Sequence, residues 1–353
     1  MEYNSLGAVV EPLCLWYEEN KRSMPWRDNP APYHVWISEI MLQQTRIEAA
    51  KGYYERFLTR IPSIQALAEI SEEELLKLWE GLGYYNRARN LRKTARLLVE
   101  KYDGKLPADY DLLIELPGIG SYTAGAIASI AYGVPAPAVD GNVLRVLMRF
   151  MNCRDDISKM SVRKKMERSL LKVIPKEYPG KFNQALMELG EVICIPNGTP
   201  ACAKCPLTKD CLAKREGTQM ELPVKPEKKA RRIEKKTVLI IERGNEVGIV
   251  RRPKEGLLAG MWEFPSLDGY LALGQIKKYF EESGAEFDAV RKGVTGKHVF
   301  SHVEWHMKGF CVILKEKCDN LPIQHIVWAK KEELENRYAV PVAYHVFLRE
   351  LEQ

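Results

Sequence analysis

At 353 residues the chain can carry two separately cored domains or one unusually large one. With 46% hydrophobic and 28% charged residues it is ordinary globular material, which excludes a disordered or fibrous chain. The net charge of +6 is mild but uneven: KPEKKARRIEKK (225–236) carries seven basic side chains against two acidic ones, and Arg87, Arg89, Arg92, Lys93 and Arg96 form a second cluster. Both suit an anionic polymer, although charge alone is as well explained by a solvated helix face and a soluble linker.

The opening, MEYNSLGAVVEPLCLWYEENKR, lacks a basic region followed by a long apolar core, so no signal peptide is expected. Trp36 to Ala50 puts Trp36, Ile40, Gln43 and Ile47 on one face and reads as a single helix. Further helical segments are expected around 73–80, 87–101 and 122–132. The most apolar stretch, 124–139, is broken by Gly133, Pro135 and Pro137 and is no membrane span. Of eight cysteines, Cys194, Cys202, Cys205 and Cys211 crowd together as C-x7-C-x2-C-x5-C. Four thiolates so placed can surround one metal centre, zinc or a [4Fe–4S] cluster, and spacing does not choose between them. One such site suits a cytoplasmic protein better than a secreted disulfide framework does.

LPVKPEKKARRIEKK (222–236) reads as a basic linker that buries nothing. Beyond it the texture changes. TVLIIERGNEVGIVRRP (237–253) reads strand, turn, strand, and VEWHMKGFCVIL (303–314) reads as another strand. The expected architecture is a mainly α region (1–221), a linker (222–236) and a smaller α+β domain (237–353).

LPGIG (116–120) before a helix, with VDGNV (139–143) some twenty residues later and the four cysteines beyond, resembles the helix-hairpin-helix DNA glycosylase superfamily, over about residues 10–215. The resemblance implies a [4Fe–4S] cluster on Cys194, Cys202, Cys205 and Cys211. The family's first cysteine interval is usually one residue shorter than IPNGTPA (195–201), and an extra loop residue costs little. It also implies that the hairpin at Gly118 and Gly120 holds a DNA phosphate on its backbone amides, with the next helix aiming its N-terminus the same way. Bifunctional members carry a lysine at position 122, whose amine attacks the sugar and permits strand cleavage. Here stands Tyr122, which cannot form an imine. SEIMLQQT (38–45) with WEGLGYYNRARNL (79–91) resembles the MutY branch, adenine glycosylases acting opposite 8-oxoguanine.

Cleaving an N-glycosidic bond needs a proton for the departing base and an anion for the sugar cation, by analogy with the paired carboxylates of glycoside hydrolysis. Glu39 lies about 60° around the helix from Trp36, at the edge of the apolar face, where partial burial favours its acid form. Asp140 precedes GNVLRVLMRF in an N-cap position, where amide donors and the helix dipole favour the anion. The cap alone is the commoner fate of such an aspartate, and the two roles are compatible. Glu39 is thus the expected acid for adenine N7, Asp140 the stabiliser of the oxocarbenium centre, and Tyr122 their neighbour by resemblance. The resemblance also makes Gln44 and Tyr84 wedge residues, sets Thr45 and Leu82 near the orphaned 8-oxoguanine, and puts Arg27, Asn142 and Gln184 around adenine or Asp140.

In the C-terminal region, WEFP (262–265) and EESG (281–284) resemble a Nudix fold, but Lys277 and Lys278 stand where its Arg-Glu pair would hold metal. Pyrophosphatase activity is therefore not expected. HVFSH (298–302) resembles the loop with which MutY proteins check 8-oxoguanine, Ser301 bonding the base while Phe300 and His302 shape the loop. The overall expectation is a monomeric, nucleoid-associated adenine DNA glycosylase acting on duplexes with A·8-oxoG or A·G pairs, with no membrane partner. The rivals are a bifunctional oxidised-pyrimidine glycosylase/lyase and an inactive lesion-binding protein.

Overall fold

The computed structural model describes residue 3 and residues 6–227, 230–316, 318 and 320–352, with residues 335 and 352 described by their backbone only. Residues 228 and 229 of the expected linker, and 1, 2, 4 and 5 of the opening stretch, lie outside the described residues. The chain divides into two compact units, Met1–Glu69 with Arg89–Glu227, and Ile70–Ala88 with Lys228–Gln353.

The first unit is helical, and among its described residues no strand occurs. The helix Gly141–Phe150 is buried from Val143 to its end, its apolar side chains on one side and the hydrogen-bonded Arg145 and Arg149 on the other. It packs with Val10–Asn20 and Pro179–Val192 in one continuous core. The run of small residues in SYTAGAIAS has a packing cause. A Cβ on Gly125 would stand 2.2 Å from the carbonyl oxygen of Pro137, and one on Gly180 would stand 2.6 Å from that of Ser129. Backbone therefore meets the helix Ser121–Tyr132 on two sides. Asn183, fully buried, satisfies the backbone brought so close: it accepts from Ala138 N–H at 3.1 Å and donates to Ala136 O at 2.8 Å. That segment delivers Asp140.

The single helix expected over Trp36–Ala50 is two helices, Pro32–Leu42 and Ile47–Arg60. Gln43 to Arg46 offer no large apolar side chain to hold a helical turn, and Gln44 takes a left-handed conformation at φ 63°. The segments expected around 73–80, 87–101 and 122–132 are the helices Glu72–Leu78, Asn86–Lys101 and Ser121–Tyr132.

The second unit is built on a mixed sheet of β1 (Arg232–Arg243), β2 (Glu246–Arg251), β3 (Trp262–Glu263), β4 (Ser266–Asp268), β5 (Phe287–Val299), β6 (Val303–Leu314) and β7 (Val327–Lys330). Its order is β3-β2-β1-β6-β5, with β4 on β1 and β7 on β2; β1 and β6 run parallel. The linker is shorter than expected at both ends. Leu222 is buried, and Arg232 to Lys236 already pair with β6. The basic side chains there line a strand. β5 had no clear sequence signal because among the described residues it pairs with β6 alone and exposes Arg291, Lys292 and Lys297, the charged habit of an edge strand.

The close approach at Gly125 predicts that Gly125→Ala destabilises the first unit by about 1–3 kcal/mol through overpacking. Gly7→Ala, whose Cβ would meet nothing within 4 Å, is expected to stay within about 0.5 kcal/mol. Denaturant midpoints of the two variants check this.

Candidate active site

Glu39 sits on the helix Pro32–Leu42 and is only 7% exposed, deeper than the half-buried edge position read from the sequence. The Tyr122 hydroxyl donates to its Oε2 at 2.5 Å. Burial pushes the Glu39 carboxyl up to about 7; the Asp140 charge adds to the rise, while the Tyr122 bond and the Arg27 charge oppose it. Tyr122 itself is raised well above the ordinary phenol range, by burial and then by the Glu39 and Asp140 charges, and so stays protonated.

Asp140 is the N-cap of Gly141–Phe150, the position read from the sequence: Val143 N–H donates to its Oδ1 at 2.8 Å. Asn142 Nδ2 donates to its Oδ2 at 3.0 Å. The expectation that amide donors and the helix dipole favour its anion is met against an opposing burial. Burial is the largest influence and leaves the carboxyl above its ordinary value; the amides of Val143 and Asn142 and the charges of Arg145 and Arg163 restrain that rise. Asp140 nonetheless has several fixed donors where Glu39 has one, so of the two it is the better seat for an anion.

Glu188, Arg22 and Arg145, which sequence reasoning missed, complete this region. Glu188 is 1% exposed and binds Arg22 Nε at 2.6 Å and Arg27 Nη2 at 2.8 Å. Burial pushes Glu188 up, but the bonds from the two arginines outweigh it and hold the carboxyl below its ordinary value. Arg27 also donates to Arg22 O and lies 5.5 Å from the Tyr17 ring, so its guanidinium is fixed. Gln184 accepts from Tyr17 OH at 3.3 Å. Arg145, buried, donates to Asn142 Oδ1 at 2.7 Å, Gly190 O at 2.9 Å and Cys194 O at 2.7 Å. Its signal was an arginine inside an otherwise apolar helix.

The hairpin expectation divides between its glycines. Gly118 is needed for the fold, at φ 79° with a would-be Cβ 2.6 Å from that of Asn90. Gly120, the N-cap of Ser121–Tyr132, has ordinary backbone angles and open space where a Cβ would be, so packing does not require it.

Cys194, Cys202, Cys205 and Cys211 line one cavity, with Arg149 beside them. Arg149 Nη1 lies 3.3 Å from Cys194 Sγ. Burial raises the Cys211 thiol and pushes Cys205 up to about 12, the neighbouring cysteines adding to both, so thiolates there need a cation. One tetrahedral zinc would draw its sulfurs to within about 3.8 Å of each other. Among the described residues no three His, Cys, Asp or Glu side chains converge closely enough for a single ion. Four thiols lining one cavity are a donor set that suits a thiolate-bound metal centre.

Gln44 and Tyr84 belong to different units, and both are non-glycine residues at positive φ, 63° and 47°. Such strain costs about 1–3 kcal/mol per residue. Among the described residues Thr45 Oγ1 is buried without a hydrogen-bond partner, whereas the Leu82 side chain is buried at 6% exposure. In the second unit, Phe300, Ser301 and His302 form the tip between β5 and β6, and the Ser301 and Tyr84 hydroxyls are 2.8 Å apart. Lys277 and Lys278 are exposed on the helix Leu273–Glu281.

Residues 37–172 match the HhH-GPD superfamily of base excision DNA repair proteins, and 237–350 match the NUDIX domain. The adenine DNA glycosylase of Buchnera aphidicola subsp. Schizaphis graminum is 34% identical over 302 residues, covering 85% of this chain and 86% of that protein. The chain belongs to the adenine DNA glycosylase family. The human member is 36% identical over 310 residues, 72% of this chain and 56% of the human protein. Among solved structures, a thermostable thymine-DNA glycosylase is similar over 59% of this chain and 96% of its own, with a TM-score of 0.55 at 28% identity. A trapped endonuclease III–DNA covalent intermediate is similar over 60% of this chain and 95% of its own, with a TM-score of 0.52 at 28% identity. Family and fold thus agree with the resemblance in SEIMLQQT and LPGIG. Among the described residues no helix is long and apolar enough to cross a membrane.

Glu39 holds its proton to about pH 7 when folded, against an ordinary 4.5. Its contribution to stability is therefore full below pH 4.5 and is lost as pH rises through 7, by about 3 kcal/mol. Glu39→Gln removes this loss, so its denaturant midpoint is expected to fall less than the parent's between pH 5 and 8. Parallel profiles for the two proteins would contradict the raised pKa.

Proposed function

We propose that the chain is a monofunctional DNA glycosylase of base excision repair that flips out adenine mispaired with 8-oxoguanine or guanine and hydrolyses its N-glycosidic bond. The observation that carries this is the buried Glu39 carboxyl, holding a proton near neutral pH and bonded to Tyr122 where a lyase would carry a lysine. In this reading Glu39 gives its proton to adenine N7 as the C1′–N9 bond breaks, and the electron pair leaves with the base. Asp140 stabilises the sugar cation that remains. Glu39, now a carboxylate, takes a proton from water as its oxygen bonds C1′, which restores the acid. Tyr122 holds Glu39 in place. The Glu188 clamp holds Arg27 for the adenine pocket, with Gln184 beside it, and Asn142 holds Asp140.

Further assignments rest on the same reading. Gly120 leaves the amides at the start of Ser121–Tyr132 open to a phosphate. Gln44 and Tyr84 are the wedges, their strained backbone fitting residues that must project. Thr45 takes a hydrogen bond from the orphaned base, Leu82 is assigned to the same base, and Phe300, Ser301 and His302 read its 8-oxo edge. The four cysteines would hold a [4Fe–4S] cluster, which supplies a rigid tie for the 194–211 loop. Such a protein works as a monomer on the DNA of the nucleoid, in the cytoplasm.

A duplex with one A·8-oxoG pair tests the proposal. Adenine is expected to be released with the strand intact until alkali is added, and Glu39→Gln is expected to lower the single-turnover rate by about 100-fold or more while duplex binding persists. No release, or a borohydride-trapped lysine adduct as the main product, would overturn it.

A further inference from the structure

The tip between β5 and β6 is held with unequal care. Phe300 is fixed in both backbone and ring: its N–H donates to Val303 O at 2.8 Å and its carbonyl accepts from Arg231 Nε at 3.0 Å. Its ring meets the Trp305 ring edge-on at 4.8 Å. Ser301, next in the chain, is exposed, and its hydroxyl lies 2.8 Å from that of Tyr84. Trp305 is 1% exposed, and a buried indole N–H requires a partner. That partner is Glu234 Oε2 on β1, at 2.9 Å, from the residue directly paired with Trp305 across the parallel ladder. The other Glu234 oxygen binds Arg232. One carboxylate thus sets the rotation of the indole on which Phe300 rests.

Such rigidity has a chemical use. Guanine presents a lone pair at N7, whereas 8-oxoguanine presents an N–H there. A serine hydroxyl can donate or accept, so by itself it tells the two apart poorly. It discriminates when its position and direction are fixed before the base arrives.

Resting on the reading of Ser301 as the residue that contacts the orphaned base, we propose that Trp305, locked by Glu234, is a positioning residue that sets Ser301 through Phe300 and thereby governs preference for 8-oxoguanine over guanine opposite adenine. Neither residue touches the base or the reacting sugar.

The test compares single-turnover adenine release from A·8-oxoG and A·G duplexes by the full-length protein and by Ser301→Ala, Glu234→Ala, Glu234→Gln and Trp305→Phe. Glutamine keeps a carbonyl acceptor for the indole; alanine does not. Glu234→Ala and Trp305→Phe are expected to lower the A·8-oxoG to A·G rate ratio by about tenfold with the A·G rate unchanged, and Glu234→Gln to restore most of it. If Trp305→Phe fails to fold, judged by its thermal transition, the Glu234 pair still decides. An unchanged ratio in Glu234→Ala, with Ser301→Ala lowering it, would overturn the positioning role alone. Equal loss on both substrates would mark a merely structural role and also overturn it. A ratio unchanged by Ser301→Ala would remove the reading on which the inference stands.

Discussion

Two carboxyl groups share one buried region of the helical unit, and burial raises both. Two like charges so placed repel, so the arrangement favours one proton between them. Where that proton resides is decided by donors. Asp140 is bonded by the Val143 amide and the Asn142 side chain, while Glu39 has one phenol that keeps its own hydrogen. The asymmetry favours the proton on Glu39 and the charge on Asp140, the distribution that departure of a purine from its sugar calls for.

The helix Gly141–Phe150 ties this pair to the rest of the unit. Asp140 caps its start, Arg145 reaches Asn142 on one side and the Cys194 carbonyl on the other, and Arg149 reaches the Cys194 sulfur and the Leu222 carbonyl. The loop that carries the cysteines is thereby connected to the orientation of a carboxylate through the buried Arg145 and the partly buried Asn142. Removing either arginine would leave dry carbonyl acceptors behind, a cost of about 1–3 kcal/mol for each. The cysteine loop therefore bears on the site through packing and hydrogen bonds.

Local patterns made much of this legible. The α-then-α+β order, the turn at LPGIG, the cap at Asp140 and the strand at 303–314 all follow from short-range chemistry, and the structure has each of them. Contacts made at long range were not legible. The completeness of Glu39's burial depends on helices distant in sequence. Glu188 carries no local signal, because the Arg22 and Arg27 it clamps lie more than 160 positions away. In FNQAL the polar residue that stood out was Gln184, yet the wholly buried one is its neighbour Asn183, which satisfies the backbone leading to Asp140. The break after Leu42 escaped because the apolar spacing runs through it; only the left-handed Gln44 shows that the chain turns there.

The central claim is that one proton rests on Glu39 while Asp140 is ionised. Infrared difference spectra of the DNA-free protein, taken across pH 5 to 9 and compared with Glu39→Gln, test it directly. The account predicts a protonated-carboxyl band that disappears as pH rises through about 7 and is missing from Glu39→Gln at every pH. A band that persists in Glu39→Gln and is lost in Asp140→Asn would place the proton on Asp140 and contradict the account.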